Sequence, residues 1–447
     1  MNTGCQQGVV LAIVLLLLVN VASAQSYTAV GQAAASAASS ASSENATTAS
    51  RTGETPTVSS SGGARSVPQI SDFSLDARRE AFEGRKAFTV GGYIQPTFGL
   101  RYRPDGLPRD QFDYSAAATQ LGFIVSGEPV SKLSYVLHVV ATGQMLTQRG
   151  NPNSDKSGGT ADGKTPLFGA IGRSQLSSGV RVEQVTVAYQ PVDSFRVRAG
   201  QMRVPFTVDQ FSGNTRLMFP TRSAPTQVFL RGTDLGALAE YRFKKQVRVS
   251  AGVFNGARVS GGGNSRGLLY SARADYSPLG RMPLQQADFG RGGFRVGVGA
   301  GLVYLATSAF DSAGFASVRA RDLRASASLR LAYKGFYFQA EGLRRQRTDS
   351  LTARPLVATG GYGQASMFMP IKGRLSIAPI GRFGWTQEDQ AFSPRDSFWA
   401  EAGATVYLGN KSGRPDDMSL TLQYLGERRV TDNENAHGTV FRAQLRW

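Results

Sequence analysis

The chain ends Thr-Val-Phe-Arg-Ala-Gln-Leu-Arg-Trp, residues 439–447. In an extended strand Phe441, Ala443, Leu445 and Trp447 share one face, and Arg442, Gln444 and Arg446 share the other. Such a strand must set an apolar surface against something dry and a basic surface against water. A soluble sheet does this by packing its apolar face on a core. A strand that closes a transmembrane barrel turns that face to lipid and its polar face to the lumen, and a terminal aromatic at the interface suits this second arrangement. The sequence upstream has to choose between them.

The amino terminus points to export. Val9 to Val19 is an unbroken apolar run, too short to span a bilayer as a helix but of the length of a signal-peptide core. Ala22-Ser23-Ala24 follows as a small-residue cleavage site, so residues 1–24 read as a signal peptide and Gln25 as the first mature residue. Its leading segment departs from the pattern in carrying no Lys or Arg. The only cysteine, Cys5, precedes the apolar run, which leaves the mature chain without disulfide or thiolate chemistry. No stretch after the leader is long and apolar enough for a membrane helix, and a mean hydropathy of −0.21 suits strands in which only alternate residues are apolar. Residues 25–86 read as an Ala/Ser-rich disordered linker with a possible short helix at 71–86. Six basic and six acidic residues cancel within 25–86, so the whole net charge of +18 falls in 87–447.

From residue 87 onward the pattern is all-β. Turn residues recur at regular intervals, and sixteen segments have strand character: 88–102, 117–126, 132–142, 181–190, 194–202, 234–243, 246–254, 267–276, 293–306, 322–333, 335–344, 360–369, 373–385, 398–408, 418–426 and 439–447. The segment 360–369 has the poorest alternation. An even number of antiparallel strands closes a barrel with both termini on the periplasmic side. Loop lengths give an independent check. Connections after even strands should be short periplasmic turns, as at 127–131, 191–193, 244–245, 334 and 370–372. Those after odd strands should be longer and external, as at 143–180, 203–233, 307–321 and 345–359. Two even connections, 277–292 and 409–417, are longer than this rule expects. The expected fold is therefore a transmembrane antiparallel β-barrel of about 16 strands over 87–447.

Inward and outward rows follow from parity. Phe294, Val296, Val298, Ala300, Leu302 and Tyr304 form one expected lipid-facing row; Leu323, Ala325, Ala327, Leu329, Leu331 and Tyr333 form another. No arginine is expected on the lipid face of these strands. Inward positions hold Arg196, Arg198, Arg242, Arg248, Arg273, Arg295, Arg324, Arg330, Arg374, Arg382, Arg442 and Arg446 against Asp234, Glu240, Asp275, Glu341 and Glu401. Twelve cations against five anions would make a lumen that prefers anions. The competing reading makes these arginines cross-strand partners and surface charges facing lipopolysaccharide.

The segment 203–233 mixes aromatic residues with Arg203, Arg216, Arg222 and Arg231, and a loop this apolar is costly in open water. Folded into the lumen it narrows the pore; the alternative is an external loop or a subunit contact. The expected pore and anion-binding residues are Arg196, Arg198, Arg203, Arg216, Arg222, Arg231, Arg248, Arg295, Arg330 and Arg382, and Phe441, Leu445 and Trp447 are the expected barrel-assembly signal. Three stretches, Arg196 to Phe211, Phe219 to Ser223 and Phe229 to Tyr241, resemble the core signature of the phosphate-selective porin O/P family: a GQ-x-x-x-PF strand end (Gly200, Gln201, Pro205, Phe206), an R-S element (Arg222, Ser223) and an R-x-x-D-x-G strand start (Arg231, Asp234, Gly236). The resemblance implies a trimeric, sixteen-stranded, anion-preferring porin with inward-folded loops. Lysines are few beside arginines, and the family's phosphate-site residues find no counterpart by motif.

Enzymatic motifs are absent from this reading. His138 and His437 are the only histidines, which with no mature cysteine argues against a zinc site, and there is neither a nucleophile elbow nor a phosphate-cradling glycine loop. No cofactor or metal is expected. The basic residues spread over strands and do not cluster on a patch, which argues against nucleic acid. The function expected from the sequence is an outer-membrane porin forming a water-filled, anion-preferring channel for small solutes, with phosphate one candidate. Its expected partners are outer-membrane lipid and lipopolysaccharide, the barrel-assembly machinery and copies of itself in a homotrimer. The alternative is a non-conducting scaffold or adhesin working through loops such as 143–180.

Overall fold

The computed structural model describes residues 88–447 apart from 103, 105–111, 117–118, 144–145, 149–178, 230–231, 244–245, 257–264, 281, 283–284, 311–315, 350–354, 389–394, 410–416 and 431–433. The expected signal peptide, linker and short helix lie outside the described residues, as do Arg231 and most of the external segment 143–180.

Sixteen strands form the barrel among the described residues. β1 is Thr89–Gln95 continued by Thr97–Tyr102, β2 is Phe112–Ala116 with Thr119–Val130, and β3 is Leu133–Gly143 with Leu146–Gln148. β4 (Gly179–Val192), β5 (Phe195–Arg203), β6 (Thr233–Phe243) and β7 (Val247–Phe254) follow. β8 is Ser265–Arg266 with Leu269–Tyr276, β9 is Arg295–Phe310, β10 is Ala316–Tyr333 and β11 is Phe336–Asp349. β12 is Leu356–Met367 with Met369–Lys372; β13 (Leu375–Glu388), β14 (Arg395–Leu408), β15 (Met418–Arg429) and β16 (Glu434–Arg446) complete the order. Each strand pairs antiparallel with the next, and β16 returns to β1 with Leu445 opposite Ile94 and Phe441 opposite Phe98. Among the described residues the strands form a closed ring, which removes the free edges of an open sheet.

Each of the sixteen expected segments overlaps one observed strand. Tight turns set the periplasmic register. Lys334 and Gly335 both have positive φ, 46° and 100°, which a two-residue hairpin with right-handed strand twist requires. The strand at 356–367 reads weakly because glycine fills its outward row. A Cβ on Gly361 would meet Trp385 Cη2 at 2.4 Å, so the ring of β13 lies where a side chain would stand. The expected long loops 307–321 and 345–359 are mostly strand instead, with β9, β10, β11 and β12 extended upward in register. Buried Asp322 cross-links this extension on its inner face, accepting from Arg324 Nη2 at 2.7 Å and pairing with Arg345 Nη2 at 3.1 Å.

Outward rows follow the expected parity. Phe294, Val298, Leu302, Tyr304, Leu323, Leu329 and Tyr333 are exposed on the barrel's outer surface. One expectation fails there. Arg321 on β10 and Arg344 on β11 are exposed on the outward face, next to buried Asp322 and Leu343. Arg321 was missed because β10 begins earlier than its expected start. Arg344 follows the same parity as exposed Gly342 and opposite parity to buried Glu341 and Leu343.

Burial is concentrated inside the ring. Met202, Val204, Phe206, Phe229, Leu238, Phe254, Leu269, Val303, Leu305 and Leu343 make one apolar cluster. Met218, Phe219, Met282, Ala332, Tyr337 and Ile380 make a second. Both include residues from connections, because two of these enter the lumen: 204–232 from the external side and 277–294 from the periplasmic side.

Candidate pore and its constriction

The segment 204–232 leaves β5 through Pro205 and Phe206 and crosses the lumen as short turns. Thr207 caps α1 (Val208–Phe211), its side chain accepting from Gln210 N at 3.1 Å. A 3-10 turn at Asn214–Arg216 and α2 (Ala224–Phe229) follow. Phe206, Phe219 and Phe229 are fully buried, so the aromatics pin the segment to the wall. Backbone carbonyls outside regular structure need donors, and wall side chains supply them. Ser271 Oγ donates to Pro205 O at 2.6 Å, and Arg273 Nη1 and Ser326 Oγ donate to Phe206 O at 2.7 and 2.9 Å. Arg324 Nη1 reaches Phe229 O at 2.5 Å, Arg382 Nη1 reaches Thr221 O at 3.1 Å, and Arg442 holds Phe219 O and Leu217 O, each at 3.1 Å. Glu341 accepts from Val208 N at 2.9 Å.

Several nominated arginines therefore serve architecture. Arg203 donates to Glu183 Oε2 at 3.0 Å and to Ser212 O at 3.1 Å. Arg222 donates to Asp209 O, to Ser212 O at 2.9 Å and to Asn214 Oδ1 at 2.9 Å, and so ties the segment to itself. Arg382 chelates Glu401 at 2.6–2.7 Å and lies 4.3 Å from the Phe219 ring centroid. Arg295 pairs with Asp288. Arg216 is half-buried in the 3-10 turn.

Arg196, Arg198, Arg248 and Arg330 of the expected pore residues gather on one contiguous wall with Arg242 and Arg273, while Arg231 lies outside the described residues. Register sets Arg196 opposite Glu240, Arg242 opposite Arg248, Arg248 opposite Asp275, and Arg273 opposite Ser250. Arg330 lies opposite Gly297, where a side chain would meet Met282 Cγ at 2.7 Å. Arg198 Nε meets Glu240 at 3.0 Å, Arg248 meets it at 3.5 Å, Arg273 meets Asp275 at 2.7 Å and Arg330 meets it at 3.8 Å. Arg248 and Arg273 both approach the Phe211 ring, at 5.1 and 5.2 Å from its centroid. Six guanidiniums thus gather around Glu240 and Asp275 beside the inward segment, with Arg273 also 4.0 Å from Glu341 Oε1.

The second inward segment meets the first. Gln286, fully buried, donates to Asp209 Oδ1 at 2.7 Å and accepts from Met218 N at 3.0 Å. Its backbone N–H donates to Arg216 O at 3.2 Å. Phe289 packs edge-on against Phe368 and Tyr407, with centroids at 4.9 and 5.0 Å. The anomalous length of the connection at 277–292 was the sequence's only sign of this segment. Glu183 had no such sign. It falls where the ladder between β3 and β4 slips register, so simple alternation hides that it points inward to Arg203, Arg181 and His138.

The carboxyl terminus completes the ring. Trp447 and Gly92 exchange backbone hydrogen bonds, each of 3.1 Å, and Phe441, Leu445 and Trp447 are exposed on the outer face.

Residues 149–375 match the model of the family described as phosphate-selective porin O and P. No curated protein matches the sequence. Among solved structures, OprB of Pseudomonas putida aligns with a TM-score of 0.54 at 11% identity, over 83% of this chain and 96% of that one. A loop-deletion mutant of OmpT, an outer membrane protein of Vibrio cholerae, aligns with a TM-score of 0.50 at 11% identity, over 81% of this chain and 100% of that one. These structural likenesses concern the barrel fold.

Proposed function

The chain belongs to the phosphate-selective porin O and P family, a family of outer-membrane porins, and we propose that its channel prefers small anions. The observation that carries this reading is the wall of six arginines around Glu240 and Asp275, placed beside the inward segment. Low exposure of these charges reduces screening by bulk water, so each acts over the lumen more strongly than a surface charge. Arginine forks match the paired oxygens of oxyanions, and phosphate is one such anion. In this reading 204–232 forms the constriction, Phe211 holds two guanidiniums in place, and Arg203, Arg222 and Arg382 fix the segment rather than contact the solute. The barrel works as a homotrimer embedded in lipid and lipopolysaccharide, delivered by the assembly machinery that reads Phe441, Leu445 and Trp447.

A second reading has one observation in its favour. The external and periplasmic segments join inside the lumen through Asp209 and Gln286, which narrows the path from both ends. A barrel shut by this junction would serve as a scaffold. Single-channel recording in planar bilayers separates the two: steady open steps are expected of the porin, and a folded but silent barrel would favour the scaffold.

A further inference from the structure

The outer surface of β10 and β11 departs from the apolar belt around it. Arg321 and Arg344 project outward and are exposed. Arg321 lies opposite Thr348 and Arg344 opposite Ala325. At 3.3 Å per residue the two positions are about 13 Å apart along the ladder. For strands tilted by about 40°, Arg344 rises about 20 Å above the periplasmic hairpin and Arg321 about 30 Å. An apolar band is about 25 Å tall, so the two guanidiniums bracket its outer edge, where the cost of an outward arginine fades. Gln346 and Thr348, also exposed, share this face.

Below the arginines the outward row turns small. Ala325 and Ala327 face Arg344 and Gly342 across the ladder, and Leu329 faces Ala340. A Cβ built on Gly342 would find no atom within 4 Å, so the surface is recessed there. Leu323 and Leu329 are exposed along the same outward row. Two cations with amide and hydroxyl neighbours above a recessed apolar trough complement an anionic lipid with acyl chains below and phosphates above.

We propose that Arg321 and Arg344 bind the headgroup phosphates of a lipopolysaccharide molecule of the outer leaflet, with an acyl chain against Ala325, Ala327 and Gly342. The proposal rests on the outer-membrane reading of the barrel and is independent of what the pore conducts. Charge complementarity selects this occupant. A second copy of the chain seated here would have to bury both guanidiniums at a subunit contact.

The test uses the full barrel purified in detergent, titrated with lipopolysaccharide and read by native mass spectrometry. Each arginine beside anionic lipid contributes about a fivefold factor, so the double variant R321E/R344E should bind roughly thirtyfold more weakly or worse. R321K/R344K should stay within a few-fold of wild type, and heat-modifiable migration of both variants shows that they fold. Single-channel conductance of the same samples should not change. Inorganic phosphate at equal concentration should leave the lipid bound. Undiminished binding by R321E/R344E overturns the proposal. So does displacement by inorganic phosphate, which would make the site one for a free ion, and so does a change of oligomeric state without lipid loss, which would make it a subunit interface.

Discussion

Two residues carry more structure than their position suggests. Trp447 closes the ring against Gly92, where an added Cβ would come within 2.6 Å of Trp447 Cζ2 and 2.7 Å of Gly122 O. Gly92→Leu should cost about 1–3 kcal/mol by overpacking, seen as a lower temperature of heat-modifiable unfolding. Deletion of Trp447 should reduce the amount of assembled barrel in the outer membrane; normal levels would remove it from the assembly signal. Arg222 shows how a motif can be legible while its role is not. Its place in the family signature was readable from sequence, and an exposed pore charge was expected. The structure turns it onto three acceptors of its own segment. Removing it by Arg222→Ala forfeits charge-assisted bonds of about 1.5–3 kcal/mol each. The expected result is therefore a noisier channel of larger conductance. Unchanged conductance with altered selectivity would restore Arg222 as a pore charge.

At the scale of elements, strands were the most legible part of the sequence. Period-two alternation and turn residues depend on neighbours within a few positions, so β5, β6 and β7 match their expected ends to within one residue. What escaped was set by contacts distant in sequence. Glu183 is aimed by a bulge, the glycine row of β12 makes sense only under Trp385, and Gln286 finds Asp209 from the opposite end of the barrel. Parity gave the inward arginines but not their partners, since Arg273, Arg324, Arg382 and Arg442 spend their donors on carbonyls of 204–232. The junction of the two inward segments makes its own prediction. Asp209→Ala and Gln286→Ala each remove the same buried hydrogen bond, so their effects on thermal stability should be non-additive, with a coupling of about 0.5–3 kcal/mol. Additive effects would mean that the segments are held independently.

For the whole molecule, the proposed anion preference of the pore stands on the arginine wall of β5 to β10. Replacing Arg248 and Arg330 by Glu removes two of the six wall cations and adds two anions, while leaving in place the arginines that hold the inward segment. The double variant should lose most of the wild-type selectivity, and Arg428→Glu, exposed at the outer end of β15, should lose little. The most direct test is the reversal potential of the wild-type channel in a salt gradient across a planar bilayer. The account predicts the sign of a pore more permeable to the anion, moved towards zero in Arg248→Glu/Arg330→Glu. A cation-selective wild-type channel would contradict it.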